Sequence, residues 1–301
     1  MSTHVLRPWT DCAKLHDDVE SGAMTESTFA IDLGAVAAGD PNAPPVYRDA
    51  SAFFRATYLT ADLRRLLGEV LASLAGKAGF NRVLKLRSPF GGGKSHTLAA
   101  LLHAARERSA LDALPEGADL PAPGPVAVAV FDGEKFGTTG KPTGDGRTVQ
   151  TMWGWIAWQL DPVRCFPIIA PLDRDRVSPG GDEIKAMLDA CGRPVLILLD
   201  EVLKYMERAA AVPVHDSTLQ RQSKDFFQNL TVEVANSRAA VLVYSLTWSA
   251  REAMGNVGLL EEIDKLAARV DQLREPVSGD EVLPILQRRL LGCPPPAEAA
   301  T

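Results

Sequence analysis

Residues 82–108, RVLKLRSPFGGGKSHTLAALLHAARER, constrain this chain more than any other stretch. An apolar run meets three consecutive glycines, Gly91, Gly92 and Gly93, and a helical pattern follows at once. Three glycines in a row suit neither a helix nor a strand, because each loses the most backbone freedom on ordering and has no side chain to bury. Placed between a strand and a helix they form a loop whose bare N–H groups can wrap an anion, with the positive end of the helix dipole behind them. The segment Ser88, Pro89, Phe90, Gly91, Gly92, Gly93, Lys94, Ser95 and His96 is therefore expected to bind nucleotide phosphates. Lys94 is expected on the β- and γ-phosphates, and Ser95 supplies the hard oxygen that Mg²⁺ prefers. The common pattern starts with glycine six residues before the lysine; Ser88 stands there instead and takes a positive φ less freely. His96 reads either as helix surface or as support behind the loop.

About a hundred residues on, PVLILLDE gives a wholly apolar strand, Val195 to Leu199, that ends in Asp200 and Glu201. Ligands in doubly wound sheets bind outside the strand C-termini, so the two carboxylates are expected on the same edge as the glycine loop. Asp200 is assigned to Mg²⁺ through water, and Glu201 to activating the water that attacks the γ-phosphate. Two acids that merely cap the next helix would be the ordinary reading of the doublet in isolation.

The strand VAVAVF lies between these two motifs, which favours ATP-hydrolysing P-loop proteins over kinases and classical GTPases. Such a protein carries a polar sensor at the end of the next strand. AVLVYSLT offers Ser245, with Thr247 as second choice, and a satisfied strand-end hydroxyl is an equal reading. Arg269, ahead of the fifth strand, sits where an oligomeric ATPase presents an arginine finger to its neighbour; Arg251, Arg274, Arg288 and Arg289 compete for that role.

The rest of the chain fits an α/β P-loop NTPase with a doubly wound, mainly parallel five-stranded sheet and helices on both faces. The strands are expected at 82–86, 126–131, 195–199, 240–245 and 270–273. Thr60 caps a helix with Leu63, Leu66, Leu67, Val70, Leu71 and Leu74 on one face, ending at Gly76. Residues 1–78 thus form a helical lead-in packed on the ATPase core, 79–275 the core itself, and 276–301 the start of a helical lid and a tail. Ser278 and Glu281 are expected to form a capping box ahead of VLPILQRRLL. Trp153, Trp155 and Trp158 read as core or interface packing rather than base-stacking groups, because few Lys or Arg lie near them.

Composition narrows the function classes. The net charge of −6 over 301 residues gives no global footprint for nucleic acid, which leaves DNA open as a partner. No apolar run is long enough for a bilayer and the N-terminus lacks a signal-peptide core, so no membrane is expected and the cytoplasm is the default address. Cys12, Cys165, Cys191 and Cys293 show no C-x-x-C spacing and read as reduced structural residues. The five histidines show no metal-ligand pattern.

Taken together, FAIDLGAVAAGD, VYRDASAFFRATYLTADLRRLL, SPFGGGKSHTLAALLHAA, TMWGWIAWQL and LLDEVLKYMERA resemble the large prokaryotic ATPases grouped as domain of unknown function 499, over about Leu15 to Leu291. The resemblance implies an AAA-type ATPase that uses ATP and Mg²⁺, in a family of which several members accompany DNA methyltransferases in phage-defence systems of the BREX and phage-growth-limitation type. Family members are usually far longer than this chain. It also implies that Lys94, Ser95, Asp200 and Glu201 occupy the nucleotide and magnesium positions. The expected activity is ATP hydrolysis that powers or switches a multi-protein complex, with a homo-oligomer as the working form. The alternative is a nucleotide-binding scaffold with little turnover.

Overall fold

Capped helices build the N-terminal part of the fold. The computed structural model describes residues 14–22, 31–88, 93–112, 114–247, 271–274 and 281–291. Within them the chain begins with α1 (Asp17–Glu20), α2 (Leu33–Ala38), α3 (Pro45–Arg48), α4 (Ala50–Ala56) and α5 (Ala61–Leu74). Asp32, Asp49 and Thr60 stand one residue before α2, α4 and α5. Their side-chain oxygens accept from the N–H groups of Ala35, Ala52 and Leu63 at 2.8, 2.6 and 3.1 Å. Each cap satisfies a donor that a helix cannot satisfy itself, a contribution of roughly 1 kcal/mol. The six apolar residues expected on one face of α5 are all buried.

The α/β part follows in chain order. β1 (Val83–Ser88) and α6 (Lys94–Arg106) flank the glycine segment, and α7 (Ser109–Asp112) comes next. Then come β2 (Ala127–Asp132), the short hairpin β3 (Lys141–Pro142) and β4 (Thr148–Val149), and the helices α8 (Met152–Leu160), α9 (Phe166–Asp175) and α10 (Gly181–Ala190). After these run β5 (Val195–Asp200), α11 (Val202–Ala209), a second hairpin of β6 (Pro213–Val214) and β7 (Ser217–Thr218), and α12 (Leu219–Asn236). β8 (Ala240–Thr247), β9 (Asp271–Arg274) and α13 (Val282–Leu290) complete the described elements. The long strands fall within one or two residues of their expected limits.

Four parallel strands in the order β2-β5-β8-β1 form the centre of the sheet, and the backbone of β9 pairs parallel with the outer side of β1. Alternate residues of these strands point to opposite faces, so each face needs its own cover. Leu84, Leu86, Val128, Val130, Leu196, Leu198, Val241 and Val243 pack against helices α2 to α6 in one buried cluster. Val83, Ala129, Phe131, Ile197, Leu199, Leu242 and Tyr244 pack against α8 to α12 in the other. Residues before and after position 78 share the first cluster, so the helical lead-in is one cover layer of the sheet and has no core of its own.

The open edge of β2 is closed by side chains. Gln159 accepts from the N–H of Val130 at 3.1 Å and donates to its carbonyl at 2.7 Å, and Trp155 Nε1 donates to the same carbonyl at 3.1 Å. An amide side chain thus stands in for a neighbouring strand, which protects the edge from pairing with another chain. Trp153 is fully buried, and Trp155 stacks on Trp158 with ring centroids 5.4 Å apart. The aromatic cluster serves packing, as expected.

The C-terminal helix is tied to the start of the chain. Leu15 and Leu291 form an antiparallel bridge, the Leu290 carbonyl accepts from the His16 N–H at 3.1 Å, and Arg289 pairs with Asp18 at 2.6 Å. Glu281 sends its carboxylate to the N–H of Ala61 at 3.1 Å, across to α5. Ser278, the other half of the expected capping box, lies outside the described residues. Cys165 and Cys191 are free and buried; Cys12 and Cys293 lie outside the described residues. Among the described residues no helix is long and apolar enough to cross a membrane.

Candidate functional site

Because β2, β5, β8 and β1 run parallel, all four deliver their C-terminal residues to one edge. The register places Asp132 opposite Asp200, Leu199 opposite Tyr244, and Leu86 opposite Ser245. β8 is inserted between β1 and β5, so Ser245 stands between the end of β1 and the acidic pair.

Asp200 is the centre of this edge and is buried. Its Oδ2 accepts from the Ser95 hydroxyl at 2.7 Å, and its Oδ1 accepts from the Ser245 hydroxyl. The Glu201 N–H lies 3.1 Å from Oδ1 and 3.3 Å from Ser245 Oγ. A buried carboxylate is costly unless donors surround it, and here three donors, from α6, β8 and the turn after β5, converge on one. The first turn of α6 brings the rest. Gly93 precedes it at φ 78°, in the left-handed region that glycine enters without a Cβ clash, and Lys94 is buried at the first helical position.

Glu201 also lies in the left-handed region, at φ 50°. A glutamate there is strained by roughly 1–3 kcal/mol and stays only where its surroundings hold it. They do so through Gly133. Its N–H donates to the Asp200 carbonyl at 2.8 Å, and a Cβ at Gly133 would lie 2.2 Å from the Glu201 carbonyl oxygen. Arg208 of α11 fastens the same turn by donating to the carbonyls of Gly133, Glu134 and Phe136 at 2.5, 2.9 and 3.0 Å. Lys204 reaches Glu134 at 3.1 Å and Glu201 at 3.6 Å. The hydrogen bond from Lys204, reinforced by its charge, holds the Glu134 carboxyl below the usual range. Burial pushes Asp132 up, and the nearby Asp200 charge adds to this, against lowering hydrogen bonds from the Lys135 and Glu134 amides.

The residues singled out in the sequence are distributed as follows. Lys94, Ser95, Asp200, Glu201 and Ser245 lie along the one edge. His96 turns away from it: its Nε2 is 3.1 Å from Thr57 Oγ1 and its ring lies 4.7 Å from that of Phe53, so it joins α6 to the N-terminal helices. Burial, with the charges of Arg289 and His103, pushes its pKa down to about 4. Pro89, Phe90, Gly91, Gly92, Arg251 and Arg269 lie outside the described residues, as do the side chains of Ser88, Thr247 and Arg274. Gly133, Glu134, Lys204 and Arg208 belong to the site and were not singled out by sequence. The available signal was DGEKF directly after an apolar strand, where a parallel sheet brings loops to its ligand edge.

Compared with known families, residues 7–279 match the DUF499 N-terminal domain. The chain belongs to the DUF499 family. A comparison with curated proteins found no match. The DUF499 match covers both motifs, the strands that carry them and the N-terminal helices that close the sheet.

The donor set suits a small hard cation. Ser95 and Asp200 offer hydroxyl and carboxylate oxygens, and among the described residues no three His, Cys, Asp or Glu cluster as a metal cage. Mg²⁺ dehydrates reluctantly and is commonly held by one or two protein oxygens together with substrate phosphates and water; Ser95 Oγ and Asp200 Oδ2 are two oxygens that could serve in that way.

Proposed function

We propose that this DUF499 chain binds Mg-ATP at the C-terminal edge of its sheet and hydrolyses it, as a P-loop ATPase of the AAA type. The observation that carries the reading is the joining of two distant motifs at Asp200. The hydroxyl that follows the glycine loop and the hydroxyl that ends β8 both donate to the carboxylate that ends β5. A chance Gly-Lys-Ser turn and a helix-capping acid pair have no reason to meet in this way. The strand order, with β8 between β1 and β5, supports the hydrolytic branch.

In this reading the N–H groups at the start of α6 and the Lys94 ammonium bind the phosphates, and charge-assisted contacts in a sheltered site dominate affinity. Ser95 and Asp200 hold Mg²⁺, which supplies charge neutralisation for the transferring phosphoryl group. Ser245 fixes the Asp200 carboxylate and reports on the γ-phosphate side. Glu201 orients a water and takes its proton. Arg269 is the finger supplied to a neighbouring subunit of a homo-oligomer. The family resemblance extends the proposal to a cytoplasmic motor or switch in a phage-defence or DNA-modification complex.

Binding of a fluorescent ATP analogue tests the core of this reading. Lys94→Ala should lose at least about 10-fold in affinity, because a charge-assisted hydrogen bond contributes roughly 1.5–3 kcal/mol. Affinity equal to that of the wild type would remove the nucleotide site.

A further inference from the structure

Lys204 lies one turn after Glu201 on α11, with its ammonium between two carboxylates: 3.1 Å from Glu134 and 3.6 Å from Glu201. Only the first distance is that of a hydrogen bond. The frame around this triad is fixed. Gly133 packs on the Glu201 backbone and Arg208 holds the carbonyls of residues 133, 134 and 136. Neither backbone is free to follow the ammonium, so the two ion pairs act on the side chains. Glu201 is the sheltered member, with its side chain 19% exposed against 55% for Glu134.

We propose that Lys204 is a positioning residue that restrains Glu201, and that Glu134 weakens the restraint by competing for the same ammonium. The proposal rests on the hydrolysis reading above. A general base must reach its water, and an ammonium 3.6 Å from the Glu201 carboxylate draws that carboxylate toward itself and away from water. One ammonium cannot serve both carboxylates fully, and the shorter contact goes to Glu134.

Opposite effects follow from two changes in one cluster. Lys204→Met removes the restraint and should raise kcat several-fold. Glu134→Gln removes the competitor, leaves Lys204 to Glu201 and should lower kcat. The double variant should behave as Lys204→Met, because without the ammonium Glu134 has nothing to compete for. Lys204→Arg keeps the charge and should keep kcat near the wild type. KM for ATP should stay constant throughout, since none of these groups is placed on the nucleotide. Exposed ion pairs of this kind contribute little to stability, so the variants should fold, and far-UV circular dichroism checks this.

Steady-state phosphate release over the four variants, with Glu201→Gln as control, decides the matter. A merely structural pair would lower kcat in both singles and in the double. That pattern, or a Lys204→Met enzyme no faster than wild type beside an inactive Glu201→Gln, overturns the restraint and leaves the hydrolysis reading standing. Wild-type turnover by Glu201→Gln overturns the base assignment and the restraint with it.

Discussion

Gly133→Ala is the smallest change that should disturb the proposed catalytic edge without removing any polar group. Gly133 has no need of glycine's freedom at φ, since it is absent from the positive-φ positions. What it needs is the empty space where a Cβ would be. The added carbon would lie 2.2 Å from the Glu201 carbonyl oxygen, 2.7 Å from its carbonyl carbon and 3.1 Å from the Asp200 carbonyl oxygen. All three are backbone atoms, so no rotamer change relieves the clash. Restoring an ordinary contact of about 3.5 Å requires the two backbones to part by about 1 Å. The Gly133 to Asp200 hydrogen bond and the Arg208 clamp oppose that movement. Overpacking of this kind costs roughly 1–3 kcal/mol, and a 1 Å displacement of a catalytic group costs on the order of 100-fold in rate. The expected variant binds ATP normally, unfolds at lower urea and releases phosphate about 100-fold more slowly. Turnover and a urea midpoint both equal to those of the wild type would refute the steric account of how Glu201 is held in its left-handed conformation.

Two further outcomes follow from the fold. His96 is held neutral with a pKa of about 4, below its unfolded value, so stability is unaffected above pH 6.5 and falls as pH drops toward 4. Between pH 7 and pH 5 its share is about 2 kcal/mol; His96→Gln should flatten the urea-measured stability profile by that amount, and an unchanged slope would contradict the assignment. Gln159→Met should destabilise the fold by about 1–2 kcal/mol, because the Val130 N–H loses its partner. It should also promote further self-association through the bared β2 edge, seen by size-exclusion chromatography; a variant of wild-type size and wild-type stability would count against the edge-capping role.

Much of this was legible before the fold was known, for physical reasons that differ by residue. Val195 to Leu199 read as a strand because a parallel strand covered on both faces is apolar at every position, and all five residues are buried. Thr60 read as a cap because hydroxyls satisfy helix N–H groups, and it does so for Leu63. The sequence also allowed Lys94, Ser95, Asp200 and Ser245 to be placed at strand ends and a helix start. It did not say that Ser245 would touch Asp200, since that depends on β8 entering between β1 and β5, and crossover connections of these lengths permit several orders. The contact of the Gly133 turn with Glu201 was illegible for a related reason. DGEKF looks like any surface turn until the Asp132 to Asp200 register lays it over Glu201. His96 directly follows the loop motif in sequence, and only the fold shows that two residues into α6 its ring faces Phe53 and Thr57.

The most direct test of the central claim pairs ATP binding with phosphate release in wild type and Glu201→Gln, both with Mg²⁺. Gln retains the size and hydrogen bonding of Glu but cannot take a proton. The account predicts that both proteins bind ATP with similar affinity and that the wild type turns over. It predicts that Glu201→Gln releases phosphate slower by on the order of 100-fold or more. Equal turnover by the two proteins, or no ATP binding by the wild type, would contradict it.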